Sequence, residues 1–566
     1  MNVPTNLLIL LFAAFTLNGA SAQSKGQISE LADLCKVWGT LKYFHPEIAS
    51  GNRDWDSVLV ASLDRLLVSN KEDALRREVD RMLQIAGEND APLFTIDKSA
   101  HPYTYRNVDH SWVDKSRNLT ESQKKALTYN YAHPKQGGNY YALNNPDDDG
   151  NIITPNEKPY SEMKMPDRNY RLLGLFRFWN VINYYYPYKY AAEEKWNNVL
   201  TNLIPDFVTA TDTSSYHKAV LKMAASIDDG HGGVYPFLYE SVAGKYSPPF
   251  FFQLVDNKAV VTKILNQEIA QQANVQQGSV IEKIDGTSLA TRIKQLWDYI
   301  PASNTGGKYK GLHRLILNSK SPSSVYSGYN PDGSTFHSKI ALSERNFLKE
   351  YLAFFAMNSP ITARKITRDI AYVNAANITS ENIDSIMLPL MDTEAIILDL
   401  RNYPSLMPSY KMADYFLKEP TPYGKETMIN FNYPGLLYYR DLNSQHPSIR
   451  TVGKENPDPY SGKLILLVDH RTQSLPEFDC LILKTYENTT VIGTQTAGAD
   501  GNVTRMTFLG GHTVSFSGMG IYGPDGSETQ RVGIPIDIQV DYEVNDVVNQ
   551  EDPILKRAIR FAETGE

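Results

Sequence analysis

The sequence predicts a multidomain α+β chain, with duplicated helical units near its start, a β-rich middle and a layered α/β unit at its end. Three observations carry this. The 566 residues exceed what a single hydrophobic core supports. Seven residues, Trp38, Tyr43, Pro46, Trp55, Val58, Leu59 and Met82, recur 141 positions later as Trp179, Tyr184, Pro187, Trp196, Val199, Leu200 and Met223, a constant offset that marks an internal repeat. The stretch from Lys463 to Gly501 then reads as an apolar run, a polar elbow, a helix and a second apolar run. In an α/β layer of that kind, ligand sites lie beyond the carboxyl ends of the strands.

Residues 1–22 read as a signal peptide. An apolar core from Leu7 to Phe15 precedes the small-residue site Ala20-Ser21-Ala22, although no Lys or Arg precedes the core. The expected mature chain is therefore exported, periplasmic or extracellular. The apolar run is too short to span a bilayer, no cysteine follows it to carry a lipid, and no later stretch is long and apolar enough, so stable membrane insertion is not expected. Two cysteines, Cys35 and Cys480, make no disulfide framework in so long an exported chain and read as small buried apolar residues. With 56 basic and 64 acidic residues the net charge is −8, and no Lys/Arg cluster stands out, so nucleic acid is not an expected partner. Nothing in the sequence sets an oligomeric state.

The two repeat copies occupy residues 23–90 and 166–246. Each places apolar residues at helical spacing, as in Leu172, Leu175, Phe176, Trp179 and Ile182, followed by a Pro-marked bend and a second helix. Only the second copy carries His231; the matching position in the first is Asp90. Residues 91–165, rich in Tyr, Asn, Asp and Pro, read as an irregular or short-stranded insert. Within it Asn145, Asp147, Asp149 and Gly150 are spaced like the start of a calcium loop, but Asn156 stands where the closing Glu belongs, so a solvated turn is expected. Residues 247–345 change to short strands. There Gly278, Ile281, Ile284 and Gly286 resemble the glycine-bounded turn of a PDZ-like domain, which implies an edge onto which a peptide can add as a strand.

Within Lys463–Gly501 the candidate functional residue is Ser474, exposed by the elbow at the start of a helix. Taken alone, the segment favours a helix cap, with Glu477 completing a capping box. Other segments shift that balance. Glu394–Leu406 is a strand ending in Asp399, Arg401 and Asn402; Asp525–Val540 is a turn, an extended segment and a Gly-Ile-Pro break; and Ser226–Val234 sets His231 between Gly230 and Gly232 after an Asp pair. A histidine so flanked is poorly placed for a core role.

These pieces, in this order, resemble the tail-specific or C-terminal processing serine peptidases of family S41, in particular their tricorn-like, His-dependent branch. The resemblance covers residues 346–566, the histidine loop and the middle domain. It implies a ClpP/crotonase-like layered α/β catalytic domain, with Ser474 as nucleophile and His231 as general base. The lysine that many relatives carry in the Gly-rich turn after the serine helix is absent from Thr496–Gly501. The relatives' Glu that orients the histidine is Gln530 here, and Glu528 lies two residues earlier, on the same face if the segment is extended. The implied oxyanion donors are the amides of Leu475 and Ser405, the latter in Tyr403-Pro404-Ser405 where relatives have a Gly pair. The serine that precedes the histidine in the tricorn-like branch is Gly230 here.

The expected function is that of an exported serine endopeptidase or carboxy-terminal processing peptidase acting on peptides or unfolded polypeptides. The alternative is a catalytically impaired peptide- or hydrophobic-ligand-binding protein on the same fold. No His/Cys/Asp cluster has metal-ligand spacing, so neither metal nor cofactor is expected.

Overall fold

The structure, a computed structural model, describes residues 24–69, 71–98, 103–148, 150–344, 362–404, 408–440 and 451–566. The signal-peptide reading of residues 1–22, the oxyanion candidate Ser405 and Asp149 lie outside the described residues.

Two three-helix units open the chain. The first is α1 (Lys25–Phe44), α2 (Trp55–Val68) and α3 (Ala74–Ala86). After a hairpin of β1 (Leu143–Asn144) and β2 (Ile152–Ile153), the second follows as α4 (Arg168–Tyr185), α5 (Trp196–Thr209) and α6 (Thr213–Ala225). The repeated tryptophans do the same work in both. Trp38 and Trp55 each donate an indole N–H to the other's carbonyl, at 2.9 and 3.0 Å, and Trp179 and Trp196 repeat the exchange at 2.9 and 3.0 Å. Each pair satisfies its own polar atoms inside an apolar core. The insert between the units, expected to be irregular or short-stranded, holds the short strands β1 and β2 and also a helix, Glu121–Ala132, opened by a Thr120/Gln123 capping box, whose Leu127 and Tyr131 join the helical core. Beside the β1–β2 hairpin, Asp148 accepts from Asn151 at 2.5 Å.

Where the two units meet, four charges are buried together. Lys42 lies 2.6 Å and Arg177 2.9 Å from Glu157, and Arg177 also pairs with Asp56. Lys42 and Arg177 are both 0 % exposed. Two cations against two anions leave no net charge, which is what makes such burial tolerable.

After β3 (Gly233–Tyr235), the stretch expected to be PDZ-like forms an antiparallel sheet of β4 (Phe250–Val255), β5 (Lys258–Ile264), β6 (Val280–Ile284), β7 (Ser323–Tyr329) and β8 (Thr335–Ala341), in the order β8-β7-β6-β5-β4. Gly278 and Gly286 bracket β6 at φ +83° and +77°, where a side chain would be strained, and Ile281 and Ile284 are buried. Helices α7 (Leu289–Leu296) and α8 (Thr305–Leu312) run between β6 and β7, and α8 carries Lys310 towards the C-terminal layer.

That layer is a six-stranded sheet of β9 (Ala363–Lys365), β10 (Ile370–Asn374), β11 (Ala395–Asp399), β12 (Lys463–Val468), β13 (Thr489–Gly493) and β16 (Ile538–Gln539), parallel throughout except for β9. Alternate residues feed opposite faces. Ile396, Leu398, Leu464 and Leu466 pack with helix α9 (Leu475–Leu483), while Ile397, Ile465 and Leu467 pack with α10 (Pro553–Thr564). Between β13 and β16 the chain adds β14 (Val503–Phe508) and β15 (His512–Ser517) to a second sheet, ordered β1-β2-β14-β15-β3, which ties the helical units to the α/β layer.

Breaking the buried charge cluster tests this join. Glu157→Gln leaves Lys42 and Arg177 short of a counter-charge and should lower the unfolding free energy by about 3–5 kcal/mol, measured by urea denaturation.

Candidate active site

Strand β12 ends at Val468 and the chain reaches α9 through an elbow that holds Ser474 at φ 65°, ψ −122°. A positive φ is costly for a serine and persists only where its surroundings over-determine it. They do so here. The Ser474 N–H faces both the Ala499 carbonyl at 2.9 Å and the Glu477 carboxylate at 3.1 Å. Glu477, 1 % exposed, also accepts from the Thr496 hydroxyl at 2.5 Å and from the amides of Gly498 and Ala499 at 2.7 and 3.0 Å. Burial pushes its carboxyl up while these donors pull it back. The Gly-rich turn is thereby fastened to the serine elbow without a lysine. The Leu475 N–H follows at the first helical position, where a helix offers no acceptor of its own.

His231 reaches the elbow by strand pairing. In β3 against β15, Gly233 stands opposite Ser515, so the chain two residues earlier lies beside Ser517. His231 Nδ1 is 2.9 Å from Ser517 Oγ, and Ser517 Oγ donates to Asp229 Oδ1 at 2.9 Å. Asp229, 0 % exposed, also takes the Ser517 N–H at 2.5 Å, the His231 N–H at 3.0 Å and the Gln530 amide at 3.3 Å. A hydroxyl has one proton, and here the carboxylate takes it, so Ser517 Oγ must accept from Nδ1–H. The neutral imidazole is then fixed with its Nε2 lone pair available. Burial holds the imidazole below its ordinary range, Asp229 opposes this, and Lys310 and Arg505 add to it.

Ser474 and His231 thus line the same cavity, of about 500 Å³. The two orienting candidates are placed differently from expectation. Glu528 pairs with Arg106 at 2.5 Å and accepts from Tyr190 at 2.7 Å, away from the imidazole. Gln530 is buried, but its amide donates to Asp229 and to Ser303 Oγ, at 3.2 Å, and not to His231. Neither carboxylate nor amide of the pair therefore meets the imidazole, and the chain turns just after Gln530, at Arg531 with φ 67°. Ser517, which does reach the imidazole, and Asp229, which holds Ser517 from behind, were not among the expected residues. Asp229 had a local signal, two positions before the histidine; Ser517 had none. The glycine before His231 also has a reason here, since a Cβ on Gly230 would lie 2.7 Å from that of Ala499.

Gln473 links the two halves of the site. Its amide donates to the Gly230 carbonyl at 3.0 Å, and its oxygen accepts from Lys310 Nζ at 2.8 Å. On the other side of Ser474 is a second cavity, of about 380 Å³, lined by Leu475, Phe478, Met519, Glu426, Arg440 and Asp500 among others. Tyr403 borders both. Among the described residues no group of acidic, His and Cys side chains is arranged to hold a metal ion, and no helix is long and apolar enough to cross a membrane.

No curated protein matches the chain. Among solved structures, mature CPAF complexed with lactacystin superposes with a TM-score of 0.54 at 13 % identity, covering 70 % of this chain and 98 % of that one. Mature CPAF alone gives 0.54 at 12 %, covering 70 % and 96 %. At such identity the likeness speaks for the fold. The photosystem II D1 C-terminal processing protease aligns over 67 % of this chain and 96 % of its own, at 15 % identity and a TM-score of 0.34. Residues 369–540 match the model of peptidase family S41. That match runs from β10 to β16, the sheet that carries the Ser474 elbow, so residues 369–540 form a peptidase S41 domain and mark the chain as a serine-type peptidase.

Proposed function

We propose that the protein is an exported endopeptidase or carboxy-terminal processing peptidase, cleaving peptides or unfolded polypeptides through Ser474 and His231. The observation that carries this reading is the fixed tautomer. Nδ1 is committed to Ser517, whose proton goes to Asp229, and this leaves Nε2 for the cavity that Ser474 also lines. Ser474 Oγ attacks the peptide carbonyl as its proton passes to Nε2. The imidazolium that forms is stabilised through the Ser517 hydroxyl by the Asp229 charge. Collapse of the tetrahedral intermediate breaks the C–N bond, and Nε2 returns the proton to the leaving amine. Water then repeats the sequence on the acyl-enzyme. The Leu475 amide is the proposed oxyanion donor on the serine side, with the Ser405 amide as the second.

Fluorophosphonate labelling read by intact mass tests the mechanism. Wild type should gain one adduct, while Ser474→Ala should gain none and His231→Ala should label at least about 10⁴-fold more slowly. Wild type that is folded and does not label would move the reading to a ligand-binding protein on this fold. In chain purified from an exporting host, the same spectrum should show loss of residues 1–22; a retained leader would sink the proposed export.

The pH profile tests the relay. Because the imidazole lies below its ordinary value of 6.5, the acid limb of kcat/KM should fall below that pH. Asp229→Asn removes the charge that favours imidazolium, so it should lower kcat by about 10²-fold or more and move the acid limb to still lower pH. An unmoved limb would show that Asp229 does not act on His231.

A further inference from the structure

The cavity of about 380 Å³ beside Ser474 is walled in part by a carboxyl that nothing balances. Asp500 is 3 % exposed, and among the described residues its Oδ2 has no hydrogen-bond partner, while its Oδ1 accepts from the Gly501 amide at 2.7 Å. The neighbouring acids are accounted for. Glu477 takes the four donors of the elbow and the Gly-rich turn, and Glu426, which also lines the cavity, faces Arg440 at 3.8 Å. Among the described lining residues Arg440 is the one basic side chain, and its guanidinium also reaches the Met428 sulfur at 3.0 Å. Burial and the charges of Glu477, Asp479 and Glu426 push the Asp500 carboxyl well above the ordinary carboxylate range, against the pull of the Gly501 amide. An acid kept in such a place costs the folded chain free energy until a partner meets it. Much of the remaining wall is apolar, with Leu475, Phe478, Met519 and Ile521. An apolar wall that carries a buried acid matches the side chains of Lys and Arg, which lay a methylene stem on apolar surface and present a charge at its end.

The direction of the cut gives this cavity its place. The base that takes the serine proton returns it to the leaving amine, so the released piece departs past His231 and the acyl piece stays beside the Leu475 amide. On the acyl piece, the side chain nearest the attacked carbonyl belongs to the residue just before the cut. We propose that Asp500 determines specificity: the cavity takes the side chain of a Lys or Arg directly before the cut, with its stem along Leu475, Phe478, Met519 and Ile521 and its charge at Asp500. The head group brings the donors and the positive charge that Asp500 lacks, and so returns its carboxyl to the ionised form. Glu426 adds to the attraction, while Arg440 spares the empty cavity a second uncompensated acid. The substrates are thereby narrowed to polypeptides cut after a basic residue. This assignment rests on Ser474 and His231 acting as proposed above, because they define which side keeps the acyl group.

Three peptidyl diphenyl phosphonates test it, alike except for the residue that carries the phosphorus, which is the phosphonate analogue of Lys, Met or Glu. Phosphorus stands where the attacked carbonyl carbon would be, so that residue's side chain is offered to the acyl side. Ser474 Oγ bonds to phosphorus, phenoxide leaves, and the labelling rate is read by intact mass. The Lys reagent should label wild type about tenfold or more faster than the Met reagent, and the Glu reagent should be slowest. Asp500→Asn, checked for native circular dichroism, should bring the Lys-to-Met ratio close to unity. A Met or Glu reagent as fast as the Lys reagent on wild type would overturn the proposal, and this needs no variant to fold. A Lys preference that survives Asp500→Asn would overturn it too. Binding is read apart from catalysis with fluorescent Ala-Ala-Lys and Ala-Ala-Met amides, by anisotropy on Ser474→Ala with and without Asp500→Asn. A Lys preference there that Asp500→Asn removes, in a protein whose wild type takes up neither phosphonate nor fluorophosphonate, would defeat the peptidase mechanism and the place before the cut, leaving a cation-binding cavity. Neither label nor preference would overturn both.

Discussion

A serine held at positive φ on the turn between a buried parallel strand and a helix is the constraint on which the site depends. Its backbone cost, of order 1–3 kcal/mol, is offset by a carboxylate that is itself costly to bury. Glu477 resolves both by accepting from the Ser474 amide and from three groups of the Gly-rich turn. The elbow cannot relax to an ordinary helix start without stranding those donors. The turn, in turn, cannot drift from the elbow. The position of Ser474 is thus fixed by polar contacts beneath it, beside the cavities that it lines.

The histidine is held by a different kind of contact. Nothing near it in sequence except Asp229 orients it; its partner Ser517 arrives by pairing between strands on opposite sides of the middle and C-terminal parts of the chain. This also explains why Gln530 stands where the family pattern has Glu. A second carboxylate there would sit beside Asp229, whose Oδ1 lies 3.3 Å from the Gln530 amide, and two like charges at that distance cannot both stay ionised. An amide is a donor to the same carboxylate and fits.

What the sequence made legible follows from the range of each interaction. Ser474, Glu477 and the strand–helix–strand order are set by neighbours within a few residues, and the apolar periods and Gly turns announce them. His231 stood out through its glycines and the Asp pair. Ser517 did not, because a serine in an ordinary alternating strand carries no sign of the residue opposite it. Glu528 was read as an orienting group from its spacing to Gln530 alone, and spacing carries no sign of Arg106 and Tyr190, which engage it instead. The helix at Glu121–Ala132 was overlooked although Thr120 and Gln123 have capping-box spacing; the polar, Tyr-rich composition of the insert masked that short signal. Lys310 had none, since one lysine on a short helix looks the same wherever its amine ends up.

The contact between the repeat copies has a consequence for their history. Gly39 and Asn180 occupy matching positions in α1 and α4 and face each other: a Cβ on Gly39 would fall 1.8 Å from Asn180 Oδ1, while Asn180 Nδ2 donates to the Cys35 and Phe176 carbonyls at 3.2 and 2.9 Å. One helix supplies the bump and the other the hollow. Two identical copies would present either two hollows or two bumps, so the present fit exists only for an unlike pair. The copies are no longer interchangeable parts, and a change at either position now has to be answered at the other.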